Sequence, residues 1–469
     1  MPRYRFALPA LLLALGGCAA GPDYERPELE VPETYLQPVE QGESFANTPW
    51  WELFRDEQLQ ALIRIALEEN QDLGIGAARV EEFRAILGIT RADQFPTVDI
   101  TATGAQAEGS DNVFPGNLPG VQNEKIENYR LSADVFFELD LFGRLRRSTE
   151  AARAQLLATE EAQRSITISL VASVASSYML LRDLDAQAEI ARRTQRTRAD
   201  SLAIIQARFD KGTVPKLDVN QAEIELAVAD AAMAVAERAV TQTENALAVL
   251  LGRNPGAIPR GVALEQQLLP PTVPAGLPSE LLQRRPDVLA SEAELAAQTA
   301  RIGVAQAARW PSLSLTGALG FESDDLSSLT DSGSDFWSAG LGIVAPLFNA
   351  GRNKSRVEAE EARTEQALLA YEQTVHRAFR EVEDALVAIR TYRAEHEARQ
   401  RQVAAARSAA MLSRARYDGG VASFLEVLDT ERSLFNAELA ESQTLRLYIN
   451  AIIELYKALG GGWNPESNE

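Results

Sequence analysis

Cysteine occurs once in these 469 residues, at Cys18, and histidine twice, at His376 and His396. An intramolecular disulfide is impossible, and no Cys/His set remains for zinc, an iron–sulfur cluster or a Cys–His nucleophile. Positive charge is scarce as well: 46 Lys and Arg stand against 67 Asp and Glu, a formal net charge of −21. That balance argues against a broad phosphate-binding surface and excludes nucleic acid as a partner. Aromatic residues are only 7% of the chain, and no uninterrupted apolar stretch reaches the ~20 residues of a membrane-spanning helix. A nucleophile–base set and a phosphate loop are also missing. Gly340-Leu-Gly342-Ile-Val-Ala345 satisfies the dinucleotide fingerprint G-x-G-x-x-A, yet it lies in a strand pattern and leads to Pro346 instead of opening a helix. The chain is expected to be no enzyme and to need no cofactor or metal. At 46% hydrophobic residues it still buries a sizeable core.

The N-terminus is where targeting is written. Arg3 and Arg5 precede the apolar run Phe6 to Leu15, which ends in Leu15-Gly16-Gly17-Cys18, the proportions of a secretory signal. Leu-x-Gly-Cys resembles a bacterial lipoprotein cleavage site, with Cys18 as the acylated N-terminus; the plainer alternative is an incidental small residue near a cleavage point. Ala19 after the cysteine, where Asp would retain such a lipoprotein, implies sorting to the outer membrane.

An internal repeat organises the rest. At an offset of 208 residues Arg208-Phe209-Asp210-Lys211-Gly212-Thr213 meets Arg416-Tyr417-Asp418-Gly419-Gly420-Val421, Leu217-Asp218-Val219 meets Leu425-Glu426-Val427, and Gly143-Arg144 meets Gly351-Arg352. Upstream the offset is 215: Asp72 meets Asp287, and Phe95-Pro96 meets Trp310-Pro311. Each unit begins with a helical segment, 56–93 or 286–309, that stops at a proline. A β-hairpin follows. In the first, Val98, Ile100 and Ala102, then Tyr129, Leu131, Ala133, Val135 and Phe137, alternate with polar residues. In the second, Leu313, Leu315, Leu319 and Phe321 return through Trp337, Ala339, Leu341 and Ile343. Very long helices over 146–207 and 353–415 come next, each about 93 Å at 1.5 Å per residue. In the second of them Tyr371, Val375, Phe379, Val382, Leu386 and Ile389 form a seam close to the coiled-coil repeat. A glycine turn then leads into helices 216–251 and 424–459. His376 and His396 are expected to be solvated helix-surface residues.

Four strands cannot close a barrel, and an open apolar sheet leaves unpaired edges in lipid. Either subunits pool strands, eight from two copies or twelve from three, or the sheet is a soluble one packed on its own helices.

A series of motifs settles the comparison. Gly21-Pro22-Asp23-Tyr24 with Arg26-Pro27, Trp50-Trp51, Phe54, Ala66-Leu67 with Asn70, Glu138-Leu139-Asp140-Leu141-Phe142-Gly143-Arg144, Gly276-Leu277-Pro278-Ser279 with Arg284-Arg285-Pro286-Asp287-Val288, and Pro346-Leu347-Phe348 run in order along nearly the whole chain. They resemble the outer membrane efflux lipoproteins of the TolC-like outer membrane factor family, which serve tripartite resistance-nodulation-division systems. The resemblance implies an α+β, mainly α fold: a homotrimer whose twelve-stranded transmembrane β-barrel, four strands per chain, continues into a long periplasmic α-helical barrel that tapers shut. It also implies a place in the bacterial outer membrane, lipid-anchored and barrel-inserted, and two further partners, a periplasmic adaptor (membrane fusion) protein and an inner-membrane proton-driven efflux transporter. The function it implies is a passive, gated exit duct for small-molecule export. An outer-membrane-anchored coiled-coil rod and a protein-secretion channel are the alternatives.

On this reading the domains are a signal peptide (1–17), a lipidated N-terminal segment with part of an equatorial region (18–55), a first repeat (56–251), an equatorial linker (252–285), a second repeat (286–459) and a tail (460–469). Leu425, Asp429 and Arg432 lie at i, i+4 and i+7 on one helical face. They match the Leu, Asp and Arg that line the resting constriction in related channels, where a carboxylate ring selects cations and bonds to arginine hold it shut. Their counterparts in the first repeat are Leu217, Gln221 and Ile224, so one tip alone carries the charged pair. Without the resemblance, Asp429 and Arg432 read first as an exposed helix-surface pair. Gly212, Gly419 and Gly420 are expected as turn residues first, and together with Leu217, Asp218 and Glu426 as adaptor contacts.

Overall fold

The computed structural model describes residues 19–37, 54–108, 125–267 and 278–461. The signal segment 1–17, Cys18, Trp50-Trp51, Gly276-Leu277 and residues 462–469 of the tail lie outside the described residues. In chain order come α1 (Glu57–Glu69), α2 (Gln71–Ala92), β1 (Thr97–Ala107), β2 (Ile126–Leu139), α3 (Arg144–Asp210), α4 (Lys216–Leu250), α5 (Pro278–Arg284), α6 (Pro286–Ala307), β3 (Ser312–Ser323), β4 (Asp335–Val344), α7 (Arg352–Asp418) and α8 (Phe424–Ala458). A short 3-10 turn at Leu264–Gln266 precedes α5. The counterparts match in length: α2 and α6 have 22 residues, α3 and α7 67, α4 and α8 35.

One expected element is broken in two. The helical segment expected over 56–93 is α1 and α2, parted at Asn70, whose backbone is extended. The side chain explains the break. Asn70 Oδ1 accepts from the N–H groups of Asp72 and Leu73 at 2.9 and 3.1 Å, capping α2, while its amide donates to the Leu250 carbonyl at 2.9 Å.

The chain divides into two compact units. One, made of residues up to 27, 81–159 and 291–371, holds the sheet. Its four strands are antiparallel in the order β1-β2-β3-β4, so the two hairpins join through β2 and β3 and leave β1 and β4 as edges among the described residues. The register sets every expected apolar residue on one face. Ile100, Ala133, Leu319 and Trp337 form one cross-strand row, and Ala102, Leu131 and Phe321 the next. The opposite face is mainly polar, with rows such as Asp99, Asp134, Ala318 and Ser338, or Thr103, Arg130 and Glu322, though Phe136 and Phe336 also lie on it. The apolar face is bare: Ile100 is 81% exposed and Trp337 79%. The fingerprint-like Gly340–Ala345 run falls on β4, not at a helix start.

The other unit, residues 28–80, 160–290 and 372–469, contains the main core. Leu59, Ile63 and Ala66 of α1 pack with Val174, Tyr178 and Leu181 of α3, Leu247 of α4, and Ile449 and Ile453 of α8. By length and composition α3 passes as a membrane-spanning helix, but its apolar stretch over Leu170 to Leu181 supplies this core instead. Asp56 ties the segments without periodicity to it. Fully buried, it caps α1 through the N–H groups of Gln58 and Leu59 and accepts from Tyr178 Oη at 3.0 Å, Val262 N at 3.1 Å and Gln267 Nε2 at 2.9 Å. The seam on α7 is buried as its spacing requires, with Val375 and Val382 inaccessible and Phe379, Leu386 and Ile389 packed against core clusters.

Candidate functional site

Both long helices reverse through turns of the same construction. Gly212 and Gly420 sit in the left-handed region at φ 72° and 75°. The Gly212 N–H donates to the Phe209 carbonyl at 2.8 Å and the Thr213 N–H to that of Arg208 at 3.0 Å; Gly420 and Val421 do the same for Tyr417 and Arg416, both at 2.9 Å. This Schellman closure satisfies the last helical carbonyls and needs a positive φ. Gly419, expected as a turn glycine beside them, is not among the positive-φ residues; it occupies the place that Lys211 fills in the first hairpin. Either residue suits it, because the backbone there has not yet left the helical range.

Behind the turns Ile205 of α3, Val219 and Ala222 of α4, and Phe424, Val427 and Leu428 of α8 form a small core. Burying those faces turns Leu217 and Leu425 outward, 62% and 55% exposed. Asp218 is half-buried, and Glu426, exposed, pairs with Arg416 at 3.2 Å. Arg208 reaches Asp418 at 3.5 Å and lies over the Tyr417 ring, tying the two hairpins together.

The three residues singled out on α8 part company. Leu425 and Asp429 are both exposed, and Asp429 has no hydrogen bond or ion pair among the described residues. Arg432 instead bonds Glu225 of α4. Glu225 is buried, and it also pairs with the buried Arg198 of α3 at 3.1 Å, whose other nitrogen donates to the Glu225 carbonyl at 2.8 Å. Arg198 in turn lies over the Phe435 ring. Burial pulls the Arg198 guanidinium below its ordinary value, with Glu225 opposing, and burial pushes the neighbouring Glu431 carboxyl up against the pull of Arg414 and Arg198. The sequence reading missed Glu225 and Arg198. A signal was present: Glu225 is a charge within the otherwise small, apolar and buried stripe Val219, Ala222, Ala229 and Ala236 of α4.

Of the two histidines, His376 is exposed as expected. His396 is not. Its side chain is 14% exposed, with Nδ1 3.5 Å from Glu441 of α8, because α7 turns this position toward α8 rather than to solvent.

At the other end of the long helices residues 19–23 are fixed beside the β2–α3 junction. Ala20 N donates to the Phe142 carbonyl at 2.9 Å, and Arg147 donates to the carbonyl of Ala20 and pairs with Asp23 at 2.7 Å.

The model of the family described as outer membrane efflux protein matches residues 62–253 and again 277–461. The chain belongs to that family. It is 38% identical to the toluene efflux pump outer membrane protein TtgI of Pseudomonas putida, over 97% of this chain and 98% of that protein. It is equally 38% identical to the cation efflux system protein CusC of Escherichia coli, over 96% and 97%. The open state of the Neisseria gonorrhoeae MtrE outer membrane channel superposes with a TM-score of 0.84 at 33% identity, covering 95% of this chain and 98% of that one. This efflux protein is therefore an outer membrane channel, and the resemblance read from its motifs holds.

Proposed function

We propose that this efflux protein is the exit duct of a tripartite pump, in which three copies pool their strands into a twelve-stranded barrel continued by a closed α-helical barrel. The observation that carries the reading is the four-stranded sheet, apolar across the middle of one face and mainly polar on the other, with β1 and β4 left as edges among the described residues. Such a sheet is stable in lipid only when its edges pair with further copies, which puts the polar face on a lumen. The matched element lengths and the twofold match of the family model support a tandem duplication.

The duct performs no chemistry; the energy comes from an inner-membrane transporter. Cys18 carries the lipid. The turns at Gly212 and Gly420, with Leu217, Asp218, Gly419 and Glu426, meet the periplasmic adaptor. Leu425 and Asp429 line the constriction, and Arg432 holds α8 shut through Glu225. Relatives are named for solvents, toluene and cations, so the duct sets the path and the transporter sets the cargo. Single-channel recording of the purified protein in a planar bilayer tests this. A small wild-type conductance that rises several-fold in Asp429→Ala/Arg432→Ala supports a gated lumen. An inserted oligomer that conducts in neither form overturns it.

A further inference from the structure

A duplicated chain has two versions of each helix-to-helix contact, and here one of them is made while the other is bare. At the offset of 208 residues α3 corresponds to α7 and α4 to α8. Within the chain α3 and α8 lie side by side. Ile190 and Ala191 of α3 pack on Phe435 of α8, with Leu439 against them, and Arg193 of α3 pairs with Glu438 of α8. Glu225 ties α4 to α3 and α8, and Arg407 ties α7 to α8 through the same Glu438. No hydrogen bond or ion pair joins α4 to α7 among the described residues. These two are therefore the outer helices of the four.

Carried through the repeat, the contact between α3 and α8 becomes one between α7 and α4. Arg193 maps to Arg401 and Glu438 to Asp230, so the charges keep their signs; Ile190 maps to Ala398, Phe435 to Ala227 and Leu439 to Ala231. The surroundings differ. Ile190, Phe435 and Glu438 are buried, whereas Ala227, Asp230, Ala231, Ala398 and Arg401 are all exposed. Arg401 and Asp230 form no hydrogen bond or ion pair among the described residues. The same offset turns the Arg208–Asp418 pair into Arg416 and Asp210, again of opposite charge, although these two already have Glu426 and Gln206 within the chain. We propose that α7 of one copy packs against α4 of the next, with Arg401 bonded to Asp230 of the partner subunit. This rests on the trimer proposed above and adds the residues that face one another. Alanines where the in-chain contact has Ile190, Phe435 and Leu439 let the two helices approach closely, and the ion pair fixes their register.

Cys18 is the one natural cysteine, so Arg401→Cys/Asp230→Cys in the full-length protein adds one defined pair. A short bifunctional thiol reagent is expected to convert this double variant into covalent dimers and trimers on a denaturing gel, and to leave each single variant monomeric there. Charge reversal gives a second reading. Arg401→Glu turns three attractions into three repulsions and is expected to speed dissociation of the oligomer about tenfold, and adding Asp230→Arg to the same chain restores it. A double cysteine variant that is trimeric by native mass spectrometry yet yields no cross-link, or links only within one chain, overturns this contact and leaves the trimer standing. A wild type that is not trimeric overturns both. Where the cysteine variant fails to assemble, the charge reversal decides: an Arg401→Glu defect that Asp230→Arg does not relieve assigns Arg401 to its own chain and overturns the contact.

Discussion

Arg432 is bonded to Glu225 of the neighbouring helix and not to Asp429, three residues away on its own. Glu225 is buried between two guanidiniums, Arg432 and the almost inaccessible Arg198. The shaft of α8 is thus pinned to α4 and α3 by one carboxylate, while the carboxylate that faces outward stays unpaired.

Glu225→Gln therefore removes the keystone. Arg198 then loses its direct ion pair and keeps Glu431 as the nearby carboxylate, so the loss falls toward the lower end of the about 3–5 kcal/mol usual for breaking a buried pair. Arg432 is released as well. The expected result is a lower melting temperature together with a raised single-channel conductance. A variant that melts early but conducts as the wild type shows that the pair supports the fold without closing the tip.

Asp429→Asn should behave in the opposite way. The side chain is exposed and unpaired, so stability changes by no more than about 0.5 kcal/mol. Three such carboxylates around one opening would set ion preference. The reversal potential in a salt gradient is expected to move toward zero, with the melting temperature unchanged. An unmoved reversal potential places Asp429 away from the conduction path.

The elements that the sequence declared were those with repetition behind them. The boundaries of α3, α4, α7 and α8 fall within a few residues of expectation because two copies of one pattern had to agree, and the strand faces follow from period-two alternation. The break at Asn70 was easy to miss: asparagine is a favoured N-cap, but with no proline or glycine beside it and helical pattern on both sides it reads as one more helix-surface residue. Asp56 was hidden for another reason: its partners Tyr178, Val262 and Gln267 lie far along the chain, and no local pattern records a contact made by folding. Glu225 was legible only as an anomaly, a charge in a buried stripe. Arg432 was legible as important, but its partner Glu225 on α4 was not, because a contact between helices leaves no trace in local spacing.

Asp56→Ala tests how far the aperiodic segments depend on that contact. The substitution leaves the N-terminus of α1, Tyr178 and the loop at Val262 to Gln267 with donors and no acceptor. A loss of about 3–5 kcal/mol is expected, since several buried donors go unsatisfied at once. Urea titration gives the value, and a loss below about 1 kcal/mol means that water replaces the carboxylate there.

His396 gives a pH signature. Burial pulls its imidazole below the ordinary value of 6.5, and this outweighs the attraction of nearby carboxylates. The charged groups that act on it are Glu397 on α7 and Glu441 of α8, 3.5 Å from Nδ1; Glu441 in turn sits near Glu438, Glu265 and Asp183, and burial with those like charges pushes its own carboxyl up. A depressed histidine value means that the unfolded chain binds the proton better. The contribution of His396 is thus fully present above pH 6.5 and is lost as pH falls from there toward the folded midpoint. With two histidines in the chain, ring-carbon NMR resolves both, and His396→Gln assigns them. A midpoint at or above 6.5 would show that Glu441, 3.5 Å away, governs the ring instead of burial.

Leu319 and Ala318 are neighbours on β3 whose side chains belong to opposite faces, one in the row with Ile100, Ala133 and Trp337, the other in the row with Asp134 and Ser338. In the proposed barrel, lysine at the first position meets lipid, and at the second it meets Asp134 across the ladder and the water of the lumen. A charge at mid-depth on the lipid face of a membrane barrel costs about 2–4 kcal/mol, while the inner face tolerates it. Leu319→Lys is accordingly expected to lose heat-resistant oligomer or to insert poorly, and Ala318→Lys to insert normally and shift ion preference toward anions. The comparison turns on one step along one strand, so a protein in which both substitutions are tolerated alike has its sheet in water, and one in which Ala318→Lys is the damaging change has its faces the other way round.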